Sequence, residues 1–307
     1  MASQPHQGEI PLLLKKPRGK ARDTFEIPEH PEHGELLLQV VTDRLSTHNK
    51  VHLSEIPGKG QILTVLTVFW TMQDWFPENH HIVAYGKEIY DYLPGDRNDY
   101  PEDLHLHALV VKKLEMIPVE FIFREYLTGS LWEAYKRGED PYGLNLPPGL
   151  QFMHHFDEPV FTPTDKSATD DPLNGSLVWQ QYPLEVALAF SMFVEGQKHA
   201  RSVGIELLDT KFEFGYDKDG FLCVADEFLT ADSSRFTPRK DIRTGVEPSS
   251  LDKQIFRDYA EKTWCDGKKI PLAFPQSVVD KGIFGYRKMF CMLTEHPLEA
   301  FQKKYFN

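Results

Sequence analysis

Cysteine is scarce: Cys223, Cys265 and Cys291 are three in 307 residues, odd in number and without CxxC spacing. Such a set excludes a disulfide framework and reads as reduced thiols in a cytoplasmic protein. Excess positive charge is also missing. Lys and Arg total 34 against 46 Asp and Glu, a net charge of -12. That balance excludes a nucleic-acid backbone as the main partner, which would call for a basic face. Long apolar runs are lacking too. The longest, at 62–70, is far too short to span a bilayer, and the run IPLLL at 10–14 before Lys15 and Lys16 is too little for a signal peptide. No internal repeat, low-complexity tract or composition shift marks a linker. What remains is ordinary soluble globular material, 41% hydrophobic and 26% charged, long enough for two domains or one large one.

Cations nevertheless concentrate in particular stretches. Arg18, Lys20, Arg22, Arg44, Lys59, Lys112, Lys113, Arg124, Lys166, Lys211 and Arg235 fall in the motif-bearing segments, and a focused positive pocket in an acidic body suits small anionic substrates. The segment 207–236 carries the densest chemistry. Its turn, Asp217-Lys218-Asp219-Gly220, separates two alternating runs, the pattern of a β-hairpin. With Tyr216 facing Phe221, Lys211 falls opposite Asp226 and Glu213 opposite Val224. One face then carries Phe212, Phe214, Tyr216, Phe221, Cys223 and Ala225. The other carries Lys211, Glu213 and Asp226, the two carboxylates diagonal at roughly 7 to 8 Å between backbones. A carboxylate pair beside a lysine suits a magnesium nucleotide, because Mg²⁺ takes only one or two protein carboxylates and keeps several waters. A solvated face with a weak Lys211–Asp226 ion pair fits the same pattern.

In chain order, residues 1–17 read as a polar, proline-containing lead-in, poorly ordered at its tip. PRGKARDTFEI and ELLLQVVTDR read as two strands around a charged turn, with Gly19-Lys20 at the bend before the first. Backbone N–H groups and cations there could approach phosphate, although the P-loop pattern is not met and a basic surface turn reads equally well. The polar stretch 43–60 reads as a substrate-facing loop, and 61–76 as a core helix through Ile62, Leu63, Leu66, Phe69, Trp70 and Phe76. Residues 108–123 read as two strands broken near Pro118, a hinge and nucleotide-base pocket. Thr128-Gly129-Ser130 starts a helix at 131–136, an anion site in form. The stretch 157–174 reads as a second long loop, 183–201 as the clearest helix with Gly204 as its stop, and 249–264 and 276–293 as further helices, the former with a capping-box-like Ser249 and Asp252.

Eight stretches then match one family in order and spacing: GKARD (19–23), DRLS (43–46), IPGKG (56–60), REYLTGSLWEAY (124–135), FTPT (161–164), DTKFEFG (209–215), DEFLTADSSRF (226–236) and SLDKQIFRDY (250–259). Together they resemble phosphoribosylaminoimidazole-succinocarboxamide synthase, the SAICAR synthetase family of purine biosynthesis, over nearly the whole chain. The resemblance implies an ATP-dependent ligase joining carboxyaminoimidazole ribotide to L-aspartate through an acyl phosphate. It also implies magnesium with ATP, small-molecule partners only, and is compatible with a homo-oligomer. Carried over residue by residue, Glu213 and Asp226 look like the magnesium and phosphate carboxylates, and Lys211 like the catalytic neutraliser of the transferred phosphoryl group. Gly19, Lys20, Ala21 and Arg22 look like the phosphate cover, Val111, Lys112 and Met116 like the adenine segment, and Lys166 like a nucleotide contact. Arg124, Ser130, Ser234 and Arg235 match ribotide-binding positions, Asp43 and Ser46 the aspartate loop, and Asp171 the imidazole loop.

The chain departs from the family's commoner pattern at Glu125, His48, Asn49, Ala231 and Thr237. Glu125 and the His48-Asn49 pair fall nearest the expected substrates. A sister ligase with another amine or acid, or a non-catalytic nucleotide-binding homologue, therefore stands as an alternative, and a screen of amino acids in an ATP-turnover assay separates them. The expected fold is α+β: a small antiparallel N-terminal lobe (1–112), a larger central sheet with helices and a helical C-terminal segment (113–307), with the ATP cleft between lobes.

Overall fold

The computed structural model describes residues 10, 12–17, 19–167, 169–264 and 268–307. Arg18, Cys265 and most of the expected lead-in lie outside the described residues. Three strands open the chain, β1 (Leu14–Lys15), β2 (Arg22–Glu26) and β3 (Leu36–Val41), followed by the hairpin β4 (Arg44–Thr47) and β5 (Lys50–Glu55). Helix α1 (Lys59–Thr71) leads to β6 (Ile82–Tyr85), β7 (Ala108–Lys112), β8 (Glu115–Met116) and β9 (Val119–Tyr126). Next come α2 (Gly129–Lys136), β10 (His155–Phe161), β11 (Thr164–Asp165), α3 (Gly175–Gln181) and α4 (Pro183–Ser202). The chain closes with β12 (Ile205–Tyr216), β13 (Leu222–Ala225), β14 (Ser234–Pro238), α5 (Gln254–Thr263), α6 (Gln276–Thr294) and α7 (Leu298–Tyr305).

The strands form an antiparallel five-stranded sheet, ordered β1-β2-β3-β7-β6, and a seven-stranded one built on β10-β9-β12-β13, with β11 on β9 and both β14 and β8 on β12. The expected α+β class and its C-terminal helices are what the chain forms. β12 is the spine: β9 and β8 pair along one edge, β14 and β13 along the other. Covered on both edges, it reads as an almost unbroken buried run, as central strands do. Its Phe212 and Phe214 pack with Phe121 and Phe123 of β9 and with Val186, Ala189 and Phe193 of α4 in the main core. Truncating such a side chain to alanine costs about 3–5 kcal/mol. Trp70 of α1 is fully buried and its indole N–H donates to the Leu229 carbonyl at 3.0 Å. Among the described residues no helix is long and apolar enough to cross a membrane.

Two expected loops are not loops. The stretch 43–60 contains the β4–β5 hairpin, and Arg44, Leu45, Ser46 and Thr47 are buried. The physical reason is a fork: the Arg44 guanidinium meets both oxygens of Asp23, at 2.8 and 3.1 Å, and also donates to the Gly19 carbonyl at 3.1 Å. A charge so paired is tolerated inside, and composition alone cannot show the pairing. The stretch 157–174 likewise holds most of β10 and all of β11. The helix beginning near Ser249 starts at Gln254 instead, because Asp252 is drawn inward to accept from the backbone N–H of Phe236 and of Gln254.

Candidate active site

Alternation along β12 and β9 builds one polar face. Asp209 pairs with Arg124 and Lys211 with Ile122 in register, so Asp209, Lys211 and Glu213 share a side with Glu120, Ile122 and Arg124. The intervening phenylalanines point into the core. Lys211 Nζ contacts Glu213, Glu120 Oε1 at 3.4 Å and Asp226 Oδ2 at 3.4 Å. Lys166 pairs with the other oxygen of Glu213, and Arg22 pairs with Asp226 and, at 2.9 Å, with Glu227. Burial alone would raise the Asp226 carboxyl, but Arg22, then Lys211 and Lys166, outweigh it and hold it well below the usual carboxylate range. Burial would likewise lower the Lys211 ammonium, and Glu213, Asp226 and Glu120 override it upward.

The hairpin that carries these groups is one register step from expectation. Glu213 pairs with Ala225 and Phe214 with Val224, because the loop holds three residues, Lys218 to Gly220, and Asp217 N–H closes it onto the Phe221 carbonyl. In this register a continued strand would set Asp226 opposite Phe212, on the core side. Instead β13 ends at Ala225 and Asp226 adopts a left-handed backbone, φ 61°, which returns its carboxylate to Lys211.

Above β9 and β14 lies a cavity of about 540 Å³ lined by residues of both sheets. Of the expected site residues it gathers Gly19, Lys20, Ala21, Arg22, Ser46, Arg124, Lys211, Asp226, Ser234 and Arg235. At one end, Arg124 donates to Asp209 (2.8 Å), Thr162 (2.8 Å) and Ser130 (3.0 Å), while Arg235 reaches both Asp209 oxygens at 2.8 and 2.9 Å. Two guanidiniums share one carboxylate, so the corner keeps net positive charge. Gly129, at φ 59°, lies under Arg235; a Cβ there would come within 2.7 Å of the guanidinium. Gly19 has a similar role in the 19–22 turn, where a Cβ would meet the Arg22 carbonyl at 2.6 Å. A second cavity, about 650 Å³, adjoins the first through Asn49, Glu120, Ile122 and Asp170 and includes Ser130.

Other expected residues sit elsewhere. Glu213 lies buried beneath Lys211 and Lys166. Asp43 accepts from the N–H groups of Gly58 and Gly60 at 2.9 and 2.8 Å, pinning the start of α1. Val111 is in the core, Lys112 pairs with Asp217 at 3.4 Å, and Met116 is partly exposed on β8. Asp171 is exposed, and its backbone bonds to Asp165. Glu125 points toward Gln197, Arg201 and His155 and lines neither cavity, so its departure from the family pattern does not face them. Spacing alone passes over Asp209, Asp232, Lys253 and Arg257, which line the cavity. Their signal was position: each falls inside a quoted motif. Asp232 is held low, Lys253 (3.3 Å) and Lys59 (3.0 Å) together overcoming the effect of burial, and it also accepts from Tyr286 at 2.7 Å.

The SAICAR synthetase profile matches residues 15–271 of the chain. Phosphoribosylaminoimidazole-succinocarboxamide synthase of Neisseria meningitidis serogroup B is 36% identical over 294 residues, covering 92% of this chain and 98% of that protein. The chain belongs to the SAICAR synthetase family. The synthase of Pichia angusta is similar at 35% identity, over 94% of this chain and 95% of that one. In three dimensions, the SAICAR synthase of Saccharomyces cerevisiae, solved with SAICAR, superposes with a TM-score of 0.81 at 32% identity, covering 97% of this chain and 99% of the other. SAICAR synthetases are ATP-dependent ligases of purine biosynthesis, and the chain is an enzyme of that class.

Proposed function

We propose that the chain joins the carboxylate of carboxyaminoimidazole ribotide to the amine of L-aspartate, with ATP converted to ADP and phosphate through an acyl phosphate. The observation that carries the reading is the meeting in one cavity of the 19–22 turn, Lys211, Asp226, Arg124 and Arg235. A carboxylate is a poor electrophile and its oxygen a poor leaving group, so phosphorylation has to precede attack by the amine. The protein's part is then positioning and charge neutralisation. In this reading the 19–22 turn covers the triphosphate, Lys211 neutralises the transferred phosphoryl group, and Lys166 reaches the nucleotide. Val111, Lys112 and Met116 flank the base. Arg124, Ser130, Ser234 and Arg235 hold the ribotide, Ser46 faces the aspartate side and Asp171 the imidazole side.

Magnesium belongs to the proposal. Lys211 touches both Glu213 and Asp226, so the two carboxylates already converge on the position of one cation, and their hard oxygens suit Mg²⁺. Among the described residues no group of three His, Cys, Asp or Glu side chains is arranged to hold a metal; two carboxylates plus phosphate oxygens and water make up the proposed set. Bound there, the ion would offset phosphate charge during transfer. A cytoplasmic location is supported by Cys223 and Cys291, both free thiols. The test is ADP release by the purified protein with ATP, Mg²⁺, aspartate and the ribotide, each omitted in turn. Release that requires all four is expected; release independent of aspartate, or none, overturns the reading.

A further inference from the structure

Asn49, at the tip of the β4–β5 hairpin, links three separate segments. Lys20 Nζ donates to Asn49 Oδ1 at 2.5 Å, and Asn49 Nδ2 donates to Asp170 Oδ2 at 2.9 Å. Lys20 lines the first cavity, whereas Asn49 and Asp170 line both, so the chain of bonds runs along their shared boundary. Asn49 and Asp170 each hold a left-handed backbone, φ 62° and 52°, a conformation Asn and Asp adopt more readily than other side-chain-bearing residues. Both tips are shaped to present these two side chains to one another.

A carboxamide suits this place because one end accepts from an ammonium while the other donates to a carboxylate. A carboxylate at position 49 would still take Lys20 but repel Asp170, and an aliphatic side chain would engage neither. Lys20 sits on a short turn and its side chain is exposed; a long ammonium side chain held at one end by an oriented acceptor loses less freedom when it meets a ligand.

We propose that Asn49 is a positioning residue that couples the two cavities, aiming Lys20 into the first and steadying Asp170 at the edge of the second. Ligand in either cavity then changes affinity in the other, by the same factor in both directions. The inference rests on the reading that Lys20 meets the nucleotide phosphates and that the second cavity, with Ser130, receives part of the ribotide.

Equilibrium binding of a non-hydrolysable ATP analogue with Mg²⁺, measured with and without saturating ribotide, tests the coupling apart from turnover. In the wild type the two affinities should differ by about fivefold or more. In Asn49→Leu and Asp170→Leu the ratio should fall to near one, while the thermal midpoint drops only by the modest cost of an aliphatic side chain on a left-handed backbone. Asp170→Asn, which keeps an acceptor oxygen, should retain most of the ratio. Asn49→Asp should keep analogue affinity without ribotide but lose the ratio. A wild type that binds both ligands with no coupling, or an Asn49→Leu variant with the wild-type ratio, overturns the inference alone. A wild type that binds neither ligand overturns the functional reading with it. Should Asn49→Leu fail to fold, the Asp170 pair decides by the same ratio.

Discussion

Asp226 reaches to 3.4 Å from the Lys211 ammonium only because its backbone turns left-handed at the end of β13; hairpin register alone would send its side chain to the opposite face. The two effects can be separated. Asp226→Asn and Asp226→Ala both remove the charge and should both lose turnover by about a hundredfold or more. Asn tolerates the left-handed conformation better than Ala, so Asp226→Ala should be the less stable of the two by about 1 kcal/mol. Urea midpoints of the two variants measure this, and equal midpoints would mean that the backbone there carries no such preference.

Glu213 gives a complementary prediction. Glu213→Gln keeps shape and burial but removes the charge that faces Lys211 and Lys166. Turnover should fall by about a hundredfold or more while the far-ultraviolet spectrum stays the same, and the Mg²⁺ concentration for half-maximal rate should rise. An unchanged Mg²⁺ dependence would remove Glu213 from the metal assignment.

These groups were partly legible in the sequence. The Asp217–Gly220 turn was readable because Asp217 Oδ1 accepts from the N–H groups of Asp219 and Phe221 and Gly220 takes φ 80°. Its register was not, since a three-residue and a four-residue loop share the same punctuation yet exchange the two faces of the strand. Helix α4 could be read from spacing because its apolar stripe and stop signal lie within one segment. Buried Arg44 could not, because its partner Asp23 is 21 residues away. The corner of Asp209, Arg124 and Arg235 is likewise assembled by strand pairing, which motif order hints at but does not draw.

Asp43 is a case where geometry redirects a motif residue. Its carboxylate takes the first free N–H groups of α1, the work of a helix cap supplied from a distant segment. Asp43→Ala should therefore lower stability by about 1–2 kcal/mol and leave the KM for aspartate within about twofold. A large rise in that KM at unchanged stability would return Asp43 to the substrate side.

The last prediction concerns acid. His81 is buried where the two sheets meet, its N–H donating to the Val224 carbonyl and its carbonyl accepting from Lys112. Burial pushes its imidazole down to about 3, against a smaller upward pull from Asp226. In the unfolded chain the same ring takes a proton near 6.5. Between those values the unfolded state binds a proton that the folded state refuses. Stability that is complete above pH 6.5 is therefore lost as pH falls toward 3, by up to about 1.4 kcal/mol per pH unit. Asp226 and Asp232, both held low by their cations, add losses in the same direction, but only in the lower carboxylate range. Burial also lowers His48, His52, His80 and His105, which cost stability over the same interval, so the share of His81 is read from the difference between wild type and variant in urea unfolding at about pH 7 and about pH 5. His81→Gln should show a markedly smaller loss over that interval than the wild type, and equal losses would show that His81 does not set the acid limb.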